Sequence, residues 1–459
     1  MTDFRASAEV VAIENTDQLV EAFEKAGKPR AAWRIGVEHE KIGVDPSTGF
    51  AAPFSGPRGI ERLLNELAER FSWQRVEENG RTIALRRDGL SVTLEPGGQV
   101  ELAGQPCENL HQSRAELAGH LDEISSVGDE LGIAFLGLGI QPCSSVEQIE
   151  LVPKARYGIM DPYMRSVGSM GTRMMRQTAT VQANIDFADE RDAMRKFRTG
   201  MRLAPVMNAI FANSSVVDGA LSQHLSYRGH VWTDTDPARC GLLRFAWDET
   251  AGFESYVRWA LDVPVYFLLR DGRYTREETG IPFRRLLDGA TGKRRPNLDD
   301  WHLHLTTLFP EVRLKGFIEF RSTDSQPART LLAPAALVKG LFYEADCLDA
   351  AWDVVKSWSF DECMDLAADA TRRALGARVR RLGLREVAAE IGKIAAEGLR
   401  RQGIEDERGR NESVYLEPCL ETIAAGITPA DLVARSWSGE WNQRAGALVA
   451  GSRLRAELP

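Results

Sequence analysis

The chain has 459 residues, 43% hydrophobic and 27% charged, the composition of an ordinary water-soluble globular protein. Its 57 Lys and Arg against 66 Asp and Glu leave a net charge of −9, which argues against a nucleic-acid partner held by bulk positive charge. A small anionic ligand gripped by a few arginines stays compatible with that balance.

The first residues, "MTDFRASAEVVAIENTD", have no apolar core flanked by positive charge, so no secretory signal is expected. Helical spacing of apolar residues follows over 14–27. The stretch "WRIGVEHEKIGV" (33–44) has the two-residue period of a strand. It places Glu38 and Glu40 on one face, where two close carboxylates repel unless something sits between them. A helix is expected over 58–70 and strands over 82–86 and 91–103. In the last of these, "SVTLEPGGQVELAG" puts Glu95 before a Pro-Gly-Gly turn and Glu101 after it.

A third helix, over 110–131, carries Leu110, Leu117, Leu121 and Ile124 on one face. The most apolar run, 131–140, is too short to span a bilayer and reads as a buried strand over 133–141, with no membrane partner expected. Further extended segments are expected at 178–187, 263–270 and 315–322. In "TATVQANIDF", Thr180, Gln182, Asn184 and Asp186 share a face; in "KGFIEFRS", Glu319 and Arg321 do. From about 327 the pattern is almost wholly helical. Six scattered cysteines without a CxxC pair fit reduced thiols in a cytoplasmic protein. Strands in one central region with helices around them, and no visible linker, predict an α+β fold forming one body over 1–459.

Glu38, Glu40, Glu95, Glu101 and Glu319 thus gather on polar strand faces. An exposed sheet face would carry mixed charge, whereas hard carboxylate ligands suit Mg²⁺, which commonly bridges a nucleotide's phosphates. Divalent ions between the carboxylates would make their proximity tolerable.

Eight stretches in order carry a family resemblance: "RIGVEHEKIG", "LEPGGQVELAG", "RYGIMDPYM", "TVQANIDF", "FRTGMRLAPVMNAIFANSS", "WTDTDPAR", "LDVPVYF" and "HLTTLFPEVRLK". The chain closely resembles plant and proteobacterial glutamate–cysteine ligases. The resemblance implies a glutamine synthetase-like fold, a curved and mostly antiparallel sheet forming a funnel with helices outside. It also implies a reaction in which the glutamate γ-carboxylate attacks ATP and cysteine's amine then displaces phosphate. Two or three Mg²⁺ ions, the substrates glutamate, cysteine and ATP, and a monomer or homodimer go with it.

By the same resemblance, Glu38, Glu40, Glu95, Glu101 and Glu319 surround the metal ions. Arg321 clamps the transferred phosphoryl group with Glu319 beside it, its planar fork suiting phosphate. Arg228 and Trp232 hold glutamate, Arg156 and Tyr266 belong to the acceptor side, and Thr180 and Gln182 lie on the funnel face near glutamate. Two departures stand out. Plant members carry a cysteine pair in a hairpin matching 274–297, and this chain has none there. After Arg321 the family reads Arg-Gly-Ala-Asp-Gly-Gly-Pro-Trp, whereas here "RSTDSQPART" keeps only Asp324 and Pro327, resembling distant ligases of the superfamily. A γ-glutamyl ligase for another amine, and a silent ligand-binding relative, therefore stand as alternatives.

Overall fold

The computed structural model describes residues 12–289 and 295–459. The N-terminal reading falls mostly on residues outside that range, as do positions 290–294 of the cysteine-free stretch. The centre is a nine-stranded sheet: β1 (Ile35–Val44), β2 (Gln74–Glu78), β3 (Arg81–Arg87), β4 (Leu90–Leu94), β5 (Val100–Ala103), β6 (Ala134–Leu136), β7 (Val181–Ile185), β8 (Val312–Leu314) and β9 (Ile318–Phe320). The order runs β8-β9-β7-β1-β5-β4-β3-β2, with β6 also pairing to β1. Every ladder in it is antiparallel. The expected α+β architecture with a large antiparallel sheet is therefore what the chain forms.

Strand β1 is ten residues long and pairs with β7 through Ile35–His39, with β5 through Glu38–Lys41 and with β6 through Ile42–Val44. The β4–β5 hairpin closes through Pro96-Gly97-Gly98. Gly98 takes a φ of +82°, open to glycine at little cost, and a Cβ on Gly97 would collide with the Arg176 backbone carbonyl. That turn seats Glu95 immediately beside the sheet.

Alternation sorts each strand into two faces. Val181, Ala183, Ile185, Ile318 and Phe320 are buried on one of them. They pack against the helices Glu190–Ile210 and Ala333–Phe342, with the Phe320 and Phe342 rings 4.8 Å apart. Each such large apolar side chain contributes about 1.5–3 kcal/mol by leaving water. The opposite face is left to polar groups. Helix Glu190–Ile210 starts where Asp189 accepts from the Asp192 amide at 2.9 Å.

Helices expected at 14–27, 58–70 and 110–131 form as Asp17–Glu24, Ile60–Phe71 and Leu110–Leu131. Beyond 327 the secondary structure is helical apart from a short ribbon, Arg378–Val379 with Leu382–Gly383. The segment 263–270 is corrected. It leaves the helix Phe253–Asp262 as irregular chain, and only Leu269–Arg270 pairs, in a two-stranded ribbon. Pro264 offers no amide to a ladder, and the apolar residues after it are buried without partners in the central sheet, Tyr266 against Tyr163 and Phe267 against Tyr274. No described helix is long and apolar enough to cross a membrane.

Candidate active site

Register explains why the polar face concentrates carboxylates. Glu40 stands directly opposite Glu101 across β1 and β5, and Thr93 of β4 stands opposite Glu101 on its other side. On the other flank of β1, Glu38 faces Gln182, and Asn184 faces Glu319 of β9. Cross-strand partners share a face, so one row of side chains crosses five strands. With groups from the β4–β5 turn, the helix Tyr227–Trp232 and Phe309, this row lines a narrow cavity containing Glu38, Glu40, Glu95, Glu101, Thr180, Gln182, Arg228, Trp232 and Arg321.

Like charges directly opposite each other destabilise a sheet. Here ligand oxygens of Glu40, Glu95 and Glu101 lie within 4.8 Å of one another. Burial, then the charges of Glu95 and Glu101, push the Glu40 carboxyl well above its ordinary range, and burial and Glu101 raise Glu95. The Glu101 carboxylate accepts from the Thr93 hydroxyl, which orients it. Three hard oxygens at this separation fit a divalent cation such as Mg²⁺, whose charge would offset the mutual repulsion. Glu38 stands two residues along β1, half-buried and accepting from Asn184 Nδ2 at 2.9 Å.

The opposite bank is cationic. Arg228 is 3% exposed, donates to the Arg321 carbonyl at 3.0 Å and leaves its buried Nε without a partner. Trp232 Nε1 is likewise unpaired, and its ring lies 5.8 Å from the Arg228 guanidinium and 5.9 Å from that of Arg321. Arg321 donates to Gln182 Oε1 at 2.6 Å and also pairs with Glu319. Unsatisfied donors buried in a cavity cost free energy unless a ligand accepts from them. Thr180 lines the cavity while its hydroxyl donates to the Thr323 carbonyl at 2.5 Å.

A profile of glutamate–cysteine ligase family 2 matches residues 34–450. The chain belongs to that family. It is 42% identical over 439 residues to the chloroplastic glutamate–cysteine ligase of Brassica juncea, covering 95% of this chain and 84% of that one. The Arabidopsis thaliana enzyme matches equally at 42%, covering 95% and 82%, and a rice (Oryza sativa subsp. japonica) enzyme, form B, at 43% over 420 residues, covering 91% and 82%. Among solved structures, the glutamate–cysteine ligase of Francisella tularensis in complex with AMP superposes with a TM-score of 0.55 at 12% identity, covering 93% of this chain and 90% of that one. At that identity the likeness speaks for the fold. The cytoplasmic placement expected from the cysteines is overturned by the curated plant relatives, whose names are chloroplastic.

Against the family expectations, the structure separates two residues from the cluster. Glu319 is fully buried, with its oxygens engaged by Arg313 at 2.6 Å, by Lys315 at 2.7 Å and by Arg321. Burial opposes its ionisation, but those three cations hold it well below the usual carboxylate range. It stands as the anchor of the cationic bank, outside the Glu40–Glu95–Glu101 group. Tyr266 does not reach the cavity: it is fully buried, its ring 3.8 Å beneath the Arg239 guanidinium and its hydroxyl 3.5 Å from Met164 Sδ. Apolar and cationic packing holds it there, behind Phe309.

Arg156 sits behind the lining, stacked 5.0 Å over Tyr157, with its buried Nε unpaired. Tyr157 lines the cavity, as do Met160, Met174, Met175, Gln99, Phe309 and Arg313, none of which sequence reasoning assigned to chemistry. For Arg313 and Lys315 a signal existed: they alternate in "VRLK", with Arg313 opposite Glu319 in the β8–β9 ladder and Lys315 just past β8. The divergent segment after Arg321 does not line the cavity. Ser322 to Gln326 are buried scaffold, Ser325 donating to the Glu40 carbonyl at 2.8 Å and Asp324 accepting from Ser214 at 2.6 Å.

Proposed function

We propose that this chain joins the γ-carboxylate of glutamate to the amine of cysteine at the expense of ATP, through a γ-glutamyl phosphate. The observation that carries the reading is the Glu40–Glu101 opposition, with Glu95 beside it, facing Arg228 and Arg321 across one cavity. The family membership and the names of the curated relatives support the substrates.

Arg228 pairs its fork with the α-carboxylate of glutamate, and its free Nε together with Trp232 Nε1 supplies donors that now lack acceptors. The γ-carboxylate oxygen forms a bond to the γ-phosphorus as the bond to the ADP oxygen breaks. Arg321 holds the transferring phosphoryl, kept in place by Glu319 and Gln182. The amine nitrogen then attacks the acyl carbon, phosphate leaves, and the amine gives up its proton. Mg²⁺ held by Glu40, Glu95 and Glu101, with Glu38 nearby, would supply positive charge that lets two anions approach. Arg156 and Tyr157 border the acceptor side. One catalytic unit over the whole chain fits a core cluster that runs from Ile13 to Leu458.

The test is ADP release by the full chain with glutamate, Mg²⁺ and a panel of cysteine, 2-aminobutyrate and histamine. Release that needs both glutamate and cysteine, with γ-glutamylcysteine identified by mass, is expected. Faster turnover of a carboxylate-free amine would replace cysteine as the acceptor, and no ADP with any amine would remove the catalytic reading.

A further inference from the structure

Away from the funnel, helix Glu190–Ile210 carries Arg191, Arg195, Arg198 and Arg202 at steps of four, three and four residues. That spacing puts all four on one helical face, where like charges repel. The face forms one wall of a second cavity of about 570 Å³, which shares no lining residue with the funnel. Trp247, Trp352 and Trp358 close the other side, and Lys356 adds a fifth cation.

The arginines are poorly matched by carboxylates. Arg202 is 5% exposed and sits between two indoles, 4.5 Å from Trp247 and 4.8 Å from Trp352. It donates to the carbonyls of Arg198 and Ala246, and its buried Nε has no partner. Burial lowers this guanidinium to about 10. Arg198 also spends its hydrogen bonds on carbonyls, those of Glu249 and Ala251, and leaves a buried Nε unpaired. Arg191 is exposed and makes no hydrogen bond or ion pair among the described residues. Arg195 pairs with Asp349 and Lys356 with Asp353. Glu249 is the one carboxylate in the lining. A buried guanidinium with neutral partners alone is costly, and an incoming anion would relieve that cost.

We infer that this groove binds a small organic dianion, a phosphate ester or a dicarboxylate, whose charges are gripped by Arg191, Arg198 and Arg202 while its carbon frame lies on the indoles. Arginine forks match both anion types in two-pronged fashion, and the tryptophans offer flat apolar surface beside them. The groove backs onto the catalytic strand. An added Cβ at Gly200, between Arg198 and Arg202, would lie 2.7 Å from the Phe320 ring, whose chain neighbours are Glu319 and Arg321.

The test is titration of the full chain, followed by tryptophan fluorescence and calorimetry, with glycerol 3-phosphate, succinate, inorganic phosphate and acetate as probes. Saturable binding of glycerol 3-phosphate or succinate is expected, and the stronger of the two identifies the source. Acetate should not compete. Arg191→Gln/Arg198→Gln, which removes two of the three gripping arginines and touches no residue lining the funnel, should weaken binding by about tenfold or more while leaving turnover unchanged. Trp352→Phe should remove much of the fluorescence change. The proposal fails if none of the probes saturates, if acetate binds equally well, if binding survives Arg191→Gln/Arg198→Gln, or if it is lost instead in Arg228→Lys. The last result would assign the anion to the funnel. Failure here leaves the ligase reading untouched, since the ADP assay does not involve this groove.

Discussion

Ser226 donates its hydroxyl to Asp324 at 2.9 Å while accepting the Gly229 amide at 3.0 Å, so a single buried carboxylate fixes the start of the helix that bears Arg228. Asp324 also takes the Asn213 amide at 2.7 Å and the Ser214 hydroxyl at 2.6 Å. Asp324, one of the two family residues kept in the divergent segment, thus positions from behind the arginine proposed to bind glutamate.

Asp324→Ala should therefore cost about 1–3 kcal/mol for each buried donor left without an acceptor. In variants that still fold, KM for glutamate should rise several times more than KM for ATP, measured by ADP release. A uniform rise in both would mean that the segment acts on general stability alone.

Removing charge from the carboxylate cluster should have opposite effects with and without metal. Glu40→Gln relieves repulsion with Glu101, so the metal-free protein should melt at a higher temperature than wild type. Stabilisation by saturating Mg²⁺, about 2.7 kcal/mol at a hundredfold excess over Kd, should be lost. Differential scanning with and without Mg²⁺ reads both. An unchanged Mg²⁺ shift in Glu40→Gln would take that residue out of the metal site.

Tyr266→Phe tests the revised position of this ring. Its hydroxyl meets a thioether rather than the cavity, so the preference for cysteine over 2-aminobutyrate should not move, and stability should fall by about 1 kcal/mol or less. Met160→Ala, in the cavity wall, should change that preference. A selectivity change in Tyr266→Phe, seen in acceptor competition, would return Tyr266 to the acceptor pocket.

Stability should decline as pH falls below neutrality, because several histidines are buried uncharged. Burial lowers His304 from 6.5 to about 3; His224, only partly buried, is lowered to about 4 by that partial burial and the stacked His230, and its contribution is discounted for solvent screening. In each case the unfolded chain takes up a proton that the folded chain refuses. Stability is thus complete above pH 6.5 and is lost as pH falls toward the folded values, at up to about 1.4 kcal/mol per pH unit for a fully linked group. Glu40 and Glu95, raised in the folded state, act in the opposite sense when no metal is bound. Urea unfolding at pH 8, 6.5 and 5 in wild type and His304→Gln isolates the histidine. Equal pH slopes in the two proteins would contradict its burial as a neutral ring.

The carboxylate strands were legible because a period of two states which side chains share a face, and that rule needs no tertiary information. Register was not legible: nothing in "VEHEK" or "QVELAG" says that Glu40 lands opposite Glu101. Strand β2 is not legible because "QRVEE" is a charged, exposed edge, which carries little apolar pattern. The position of Tyr266 is not legible because a buried apolar run such as "VPVYFLL" does not reveal which way a ring turns. The alternation of Arg313 and Lys315 is visible, but their role is not, since it depends on Glu319 lying opposite Arg313 and within reach of Lys315.

The strand order also sorts charge. Carboxylates stand on β1, β5 and the turn before β5 and amides on β7, while beyond them Arg313 of β8, Arg321 just after β9 and Arg228 on the adjoining helix outnumber the buried Glu319. A cleft with low-dielectric walls concentrates such a gradient along its length. Both amino acids of the proposed reaction are zwitterions, and a zwitterion in a graded field turns before it touches anything. Before metal binds, its ammonium would swing toward the Glu40, Glu95 and Glu101 end and its carboxylate toward Arg228. The sheet acts as a compass for its substrates, and a molecule entering the other way round meets repulsion at both ends.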